Sequence, residues 1–159
     1  MSTSTFTKIT DWLEEKGVPK RVLHHEPTPT SEDSARVRGE DIAIGGKALL
    51  LKCDQAFHLF VISAAKRLDS KAIRKHIGVK KVRFATAEEL MERTGLIPGS
   101  VPPFGRPILD FKLYIDTSVA ENPRIAFNAG SITDSIILDI KDYLEVAEGE
   151  IFQFSKVEN

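Results

Sequence analysis

Apolar side chains recur at helical spacing at the start of the chain, where Phe6, Ile9, Trp12 and Leu13 share one face. Gly17 and Pro19 close that helix. Val22 to His25 predicts a short strand, and Pro27 and Pro29 hold the next residues extended. Thr30 followed by Asp33 has the form of a capping box, so a helix is expected from near Ser31 to Gly39. Two strong strand signals follow: Lys47 to Cys53 reads KALLLKC and Phe57 to Ser63 reads FHLFVIS. Only a short polar turn at Asp54-Gln55 separates them, which predicts a hairpin. Asp69 caps a helix that runs to His76 and ends at Gly78. Val82 to Phe84 is a short strand, and Thr86 with Glu89 opens a helix that stops at Gly95.

The stretch from Leu96 to Pro107, LIPGSVPPFGRP, holds four prolines and two glycines in twelve residues. Neither a helix nor a central strand tolerates that, so it is a stiff loop. Phe111 to Ile115, Arg124 to Asn128 and Ser135 to Leu138 read as strands, with a turn at Ala129-Gly130-Ser131. Asp139 is expected to cap a helix over Ile140 to Val146, and Ile151 to Phe154 a final edge strand. The expected fold is α+β: one compact domain over residues 1–159, with a mixed, mostly antiparallel sheet flanked by helices.

Composition narrows the function classes. The chain has 22 Lys and Arg against 23 Asp and Glu, a net charge of −1. A protein that coats nucleic acid by charge alone is far more basic. The longest strongly apolar stretch, Leu59 to Ala65, is far short of a bilayer span, and the N-terminus has no apolar signal core. A lone cysteine, Cys53, allows no internal disulfide. A cytoplasmic location without membrane contact is therefore expected.

Familiar catalytic signatures are missing. Gly46-Lys47 resembles the end of a phosphate-binding loop, but Asp41 stands at the first glycine's position and Ala48 at the magnesium-binding hydroxyl's. There is no GxSxG elbow and no dinucleotide fingerprint. His24, His25, His58 and His76 show no metal-ligand spacing, so no metal and no cofactor is expected. Three features remain. Lys47 opens an apolar strand, either as a solvated strand-end cation or as a charge at a cavity mouth that meets phosphate or carboxylate. The loop Gly99-Ser100-Val101-Pro102-Pro103 is either a plain connection or a rigid main-chain cradle for a ligand. Lys66 to Arg83 carries eight basic residues in eighteen, opposed only by Asp69. That run is either a solvated helix face or a contact for an RNA backbone.

At these residues the sequence resembles the YbaK and prolyl-tRNA synthetase-associated editing domains, from about Val22 to Val146. GLIPGSVPPFG (Gly95 to Gly105) resembles the family's loop, in which a glycine stands four residues before a proline, here Gly99 and Pro103. KALLLK resembles the strand that opens with the family's important lysine, here Lys47. LHHEPTPTSEDSA places His25 and Thr30 at typical positions, and FNAGS (Phe127 to Ser131) resembles the late turn. Two departures bear on which amino acid the pocket accepts: Ser100 and Pro102 stand where the loop often has a glycine and a serine, and no histidine follows Ser131.

The resemblance implies a free-standing hydrolase, without metal or covalent nucleophile, that cleaves the ester of mischarged tRNA. The expected substrate is tRNA for proline carrying a small wrong amino acid, bound at its acceptor end, with prolyl-tRNA synthetase as a candidate partner and DNA excluded. The implied catalytic set is Lys47, Gly99, Ser100, Val101 and Pro103. Substrate binding falls to His25, Thr30, Leu50, Pro102, Phe104, Asn128, Ala129, Gly130 and Ser131. Leu50, Ser100 and Val101 are expected to limit pocket size, with Asn128 and Gly130 as the wall opposite the loop. Lys71, Arg74, Lys75, Lys80 and Lys81 are expected RNA contacts. A binding module for a tRNA end or a synthetase, and a hydrolase of another small aminoacyl ester, stand as alternatives.

Overall fold

The computed structural model describes residues 4–28 and 30–157. Pro29, expected to hold the backbone extended, lies outside them. Helix α1 (Thr5–Glu15) begins at Ser4, whose side chain accepts the Thr7 N–H. Strand β1 (Arg21–His24) and helix α2 (Ser31–Arg38) follow; Thr30 caps α2 by accepting the Asp33 N–H, and Gly39 ends it left-handed. A 3-10 turn (Ile42–Ile44) leads into the hairpin of β2 (Gly46–Cys53) and β3 (Ala56–Ser63). Helix α3 (Ser70–Ile77) is capped by Asp69 and Gly78, and after β4 (Val82–Phe84) a full Thr86–Glu89 capping box opens α4 (Ala87–Thr94). The proline-rich loop then leads to β5 (Leu113–Asp116), a one-turn helix α5 (Thr117–Ala120), β6 (Arg124–Asn128), β7 (Asp134–Asp139), α6 (Ile140–Ala147) and β8 (Glu150–Phe152).

The strands form two sheets where one was expected. Strands β1, β7 and β6 make a three-stranded antiparallel sheet. The second sheet runs β4-β2-β3-β5-β8, antiparallel around β2 and parallel from β3 to β8. Two smaller differences concern the C-terminal part. Asp139 precedes α6 but makes no side-chain cap bond. The last strand ends at Phe152, and Phe154 is buried beyond it with its N–H donated to the Asp116 carboxylate (2.6 Å).

Strand alternation explains the layering. Leu50, Leu59, Val61, Leu113 and Ile115 face Ile125, Phe127, Ile136 and Leu138 of the other sheet in the main core, sealed by Ile9, Leu13 and Tyr143 from helices. The opposite face of the five-stranded sheet, with Leu51, Cys53, Phe60 and Ile62, is covered by Ile73 of α3. That double burial is why FHLFVIS reads as a continuous apolar run rather than an alternating one.

The loop is anchored from beneath: the wholly buried Tyr143 donates its hydroxyl to the Pro103 carbonyl at 2.7 Å. Burial also pushes the Tyr143 phenol well above its ordinary pKa. A Tyr143→Phe change leaves that carbonyl without its donor, and a loss of about 1–2 kcal/mol is expected. Urea unfolding of the variant beside the wild type measures it.

Candidate active site

A pocket of about 520 Å³, within the range typical of small-molecule sites, opens beside the start of β2. One face of α2, the start of β2 and the Pro98–Val101 segment of the loop give most of its lining, completed by the 3-10 turn, Ala64 and Asn128.

Helix geometry builds the first wall. Ser31, Ser34, Ala35 and Arg38 recur every three or four residues, so α2 turns one face to the pocket, extended by Thr28 and Thr30 before it. The second wall is an open strand edge. Strand β4 pairs with β2 only over Leu51 to Cys53. The Leu50 carbonyl accepts the Ala85 N–H, so it points away from β3. Alternation gives Ala48, two residues back, the same outward direction for its N–H and carbonyl. Among the described residues no strand pairs with that edge at Ala48, and Ala48 lines the pocket. Gly46 is required here because a Cβ would stand 2.4 Å from the Ile125 side chain.

The third wall is the loop. Gly99 adopts φ +87, a left-handed conformation that an L side chain rarely takes. The Asn128 amide donates to the Gly99 carbonyl at 2.8 Å, and the Gly130 N–H donates to the Ser100 carbonyl at 2.9 Å. The late turn thus clamps the loop, and Asn128 itself lines the pocket. Among the described residues, the Gly99 and Val101 N–H groups find no acceptor in the protein.

Lys47 and Gly99 border one pocket, with Val101, Thr30 and Asn128. Lys47 is exposed, and among the described residues no carboxylate lies within ion-pair distance of its ammonium. Leu50, Phe104 and Ala129 do not reach the pocket wall; they belong to the main core. For Leu50 the reason is its place along β2: its carbonyl already accepts the Ala85 N–H, where the open edge that Gly46 to Leu49 lend the pocket ends. Ser100 is buried, with its hydroxyl donated to the Ile97 carbonyl at 2.7 Å, and Pro102 and Pro103 are buried behind the loop. The Ser131 hydroxyl bonds that of Thr133. His25 lies one shell back, its Nε2 at 2.8 Å from the Ser135 hydroxyl.

The residue that sequence reasoning missed is Arg38. It is only 7% exposed, and its guanidinium donates Nε to Ser135 Oγ (2.9 Å) and Nη2 to Asn128 Oδ1 (3.0 Å). Holding Asn128 Oδ1 leaves its NH₂ group free to grip Gly99. Burial pushes Arg38 down to about 10, with the neighbouring Glu40 charge opposing the shift. Glu40 itself is engaged by Arg124, at 2.6 to 3.0 Å. A single polar chain therefore runs from His25 through Ser135, Arg38 and Asn128 to Gly99. Among the described residues no cluster of three or more His, Cys, Asp or Glu is placed to hold a metal ion.

The expected RNA contacts lie outside the pocket. Lys71, Arg74 and Lys75 are on α3; Lys80 and Lys81 precede β4, with their N–H groups held by the Asp54 carboxylate at the hairpin turn. Lys47 shares its sheet face with Leu49 and Leu51, the face that α3 covers.

Residues 25–146 match the family model of the aminoacyl-tRNA editing domain. The chain belongs to this family. It is an aminoacyl-tRNA hydrolase of the editing type. Across 158 residues this editing domain is 32% identical to the multifunctional Ser/Thr-tRNA deacylase ProXp-y of Escherichia coli (strain K12), a match covering 96% of the chain and 93% of that relative. It is 28% identical over 142 residues to a proline–tRNA ligase of Shouchella clausii (strain KSM-K16), covering 81% of the chain but 25% of the ligase. The fold of the editing domain superposes on the crystal structure of a candidate trans-editing enzyme for prolyl tRNA synthetase with a TM-score of 0.85, at 23% identity, over 99% of this chain and 100% of that one.

Proposed function

We propose that the chain works free-standing in the cytoplasm and removes a small hydroxyl-bearing amino acid, serine or threonine, from mischarged tRNA. The observation that carries this reading is the hydroxyl-lined wall of α2 and its approach, Thr28, Thr30, Ser31 and Ser34, facing the main-chain cradle of the loop. The likeness to a Ser/Thr-tRNA deacylase supports the same amino acids. The likeness to a proline–tRNA ligase favours tRNA for proline as the acceptor and the synthetase as a partner.

The chemistry follows from the walls. Attack of water on an aminoacyl ester needs positioning and charge stabilisation more than a strong nucleophile. Lys47 holds the terminal phosphate or the aminoacyl end of the substrate. The Ala48 main chain meets the amino acid as a strand neighbour would. The unpaired N–H groups of Gly99 and Val101 receive the negative charge that grows on the carbonyl oxygen, and the substrate's own ribose hydroxyl assists the water. Arg38 acts at one remove, through Asn128, as a positioning residue.

Deacylation of tRNA for proline charged with Ser, Thr, Ala or Cys tests the reading. Serine and threonine esters are expected to be cleared at least ~10-fold faster than alanine, because a buried hydroxyl such as that of Ser34 is left without a partner by the analogue that lacks its own hydroxyl. Equal rates on alanine and serine would refute the assignment of that wall.

A further inference from the structure

Nine phenylalanines, two tyrosines and one tryptophan all lie within the described residues, and Phe84 alone among them is exposed, at 57%. It is the last residue of edge strand β4 and pairs directly with Leu51, so both side chains share one sheet face. Leu49, which lines the pocket, is its diagonal neighbour, about 7–8 Å away and within reach of an aromatic ring. The ring therefore stands at the lip of the pocket, on the side of the sheet that carries Lys47.

Its support is stiff. The Arg83 guanidinium grips the Glu89 carboxylate in two bonds, 2.8 and 3.0 Å, and donates a third to the Phe84 carbonyl at 3.1 Å. Glu89 also accepts the Thr86 N–H at 2.9 Å, within the capping box that starts two residues after Phe84. Arg83 is thus withdrawn from any polyanion and spent on fixing the strand end. Lys80 and Lys81, just before the strand, and Lys71 and Lys75 on α3 form no ion pair among the described residues. The run of β2 from Lys47 to the hairpin turn spans on the order of 20 Å, the reach of a few unpaired nucleotides.

We propose that Phe84 is a stacking platform for an unpaired base near the 3′ end of the charged tRNA, lying between the aminoacyl pocket and the free cations beyond it. The inference rests on the deacylase reading and names how that substrate is held. A lone rigid ring among unpaired cations suits a base and its phosphates; a docked protein needs a broader apolar patch.

The experiment compares wild type, Phe84→Ala and Phe84→Trp in two assays. One is steady-state deacylation of charged tRNA. The other is equilibrium binding of an uncharged RNA hairpin, either with a four-nucleotide unpaired 3′ tail or blunt. Phe84→Ala is expected to raise KM about ten-fold with kcat unchanged, and to weaken the tailed hairpin by the same factor but not the blunt one. Phe84→Trp restores both. An unchanged KM and tail affinity in Phe84→Ala overturns the proposal. So does an equal loss on both hairpins, or a loss seen only in synthetase binding, which would make the ring a protein contact. Should wild type deacylate no charged tRNA, the deacylase reading fails, while the hairpin assay still tests the platform.

Discussion

Replacing Lys47 by alanine should lower kcat/KM for deacylation by ~10²–10³-fold, the scale set by removing one preorganised electrostatic contact to the reacting group. The fold should be untouched. Lys47 is exposed at a strand start and pairs with no carboxylate among the described residues, so its removal breaks no internal contact. An exposed substitution of this kind shifts stability by no more than about 0.5 kcal/mol. Single-turnover deacylation beside a thermal melt separates the two effects. Full activity in the variant would remove the cationic role from the mechanism.

Arg38→Met should damage both stability and activity, and for one reason. The substitution keeps the aliphatic bulk but deletes the donors that hold Ser135 and Asn128. Buried Ser135 and half-buried Asn128 each lose a charged donor, while Ser135 keeps His25 and its own bond to Asn128, for a cost of about 1–3 kcal/mol. Asn128 Oδ1 is left with the longer bond from the Ser135 hydroxyl, 3.3 Å, so the amide's grip on Gly99 loosens and kcat should fall by ~10-fold or more. Arg38→Lys should not rescue, because one ammonium cannot reproduce a planar fork that reaches two residues. Arg38 has a pKa of about 10, below the usual guanidinium value, because burial disfavours its charge. The folded chain holds that charge at neutral pH at a cost, and raising the pH toward 10 relieves it as the proton is lost. Chemical denaturation and the kcat-against-KM split measure the two losses.

Local rules carried most of the fold. The caps at Thr30, Asp69 and Thr86, and the left-handed glycines 39, 78 and 95, marked helix ends that stand where the residue types require. Asp139 looked equivalent and is not, since a cap bond depends on side-chain direction as well as residue type. The division into two sheets was not legible, because it depends on β1 finding β7 some 110 residues away. The pocket was legible in half. Lys47 and Gly99 could be singled out as a strand-start cation and a glycine beside a proline. Arg38 could not, because a basic residue in the last turn of a polar helix ordinarily lies in solvent. Its partners lie 90 and 97 residues further along, and only the closed fold buries it. Leu50 falls outside the pocket because Ala85 closes the strand edge there, a contact that the local pattern around KALLLK does not show.

The open edge of β2 has a consequence for how such an enzyme diversifies. Where a peptide N–H and carbonyl do the recognising, exchanging one side chain for another leaves the contact in place, and only proline deletes the donor. Changes that retune the preferred amino acid are therefore channelled onto the helical wall of small hydroxyl residues. Descendants of one ancestor can acquire new substrates there while inheriting the same hydrolytic floor.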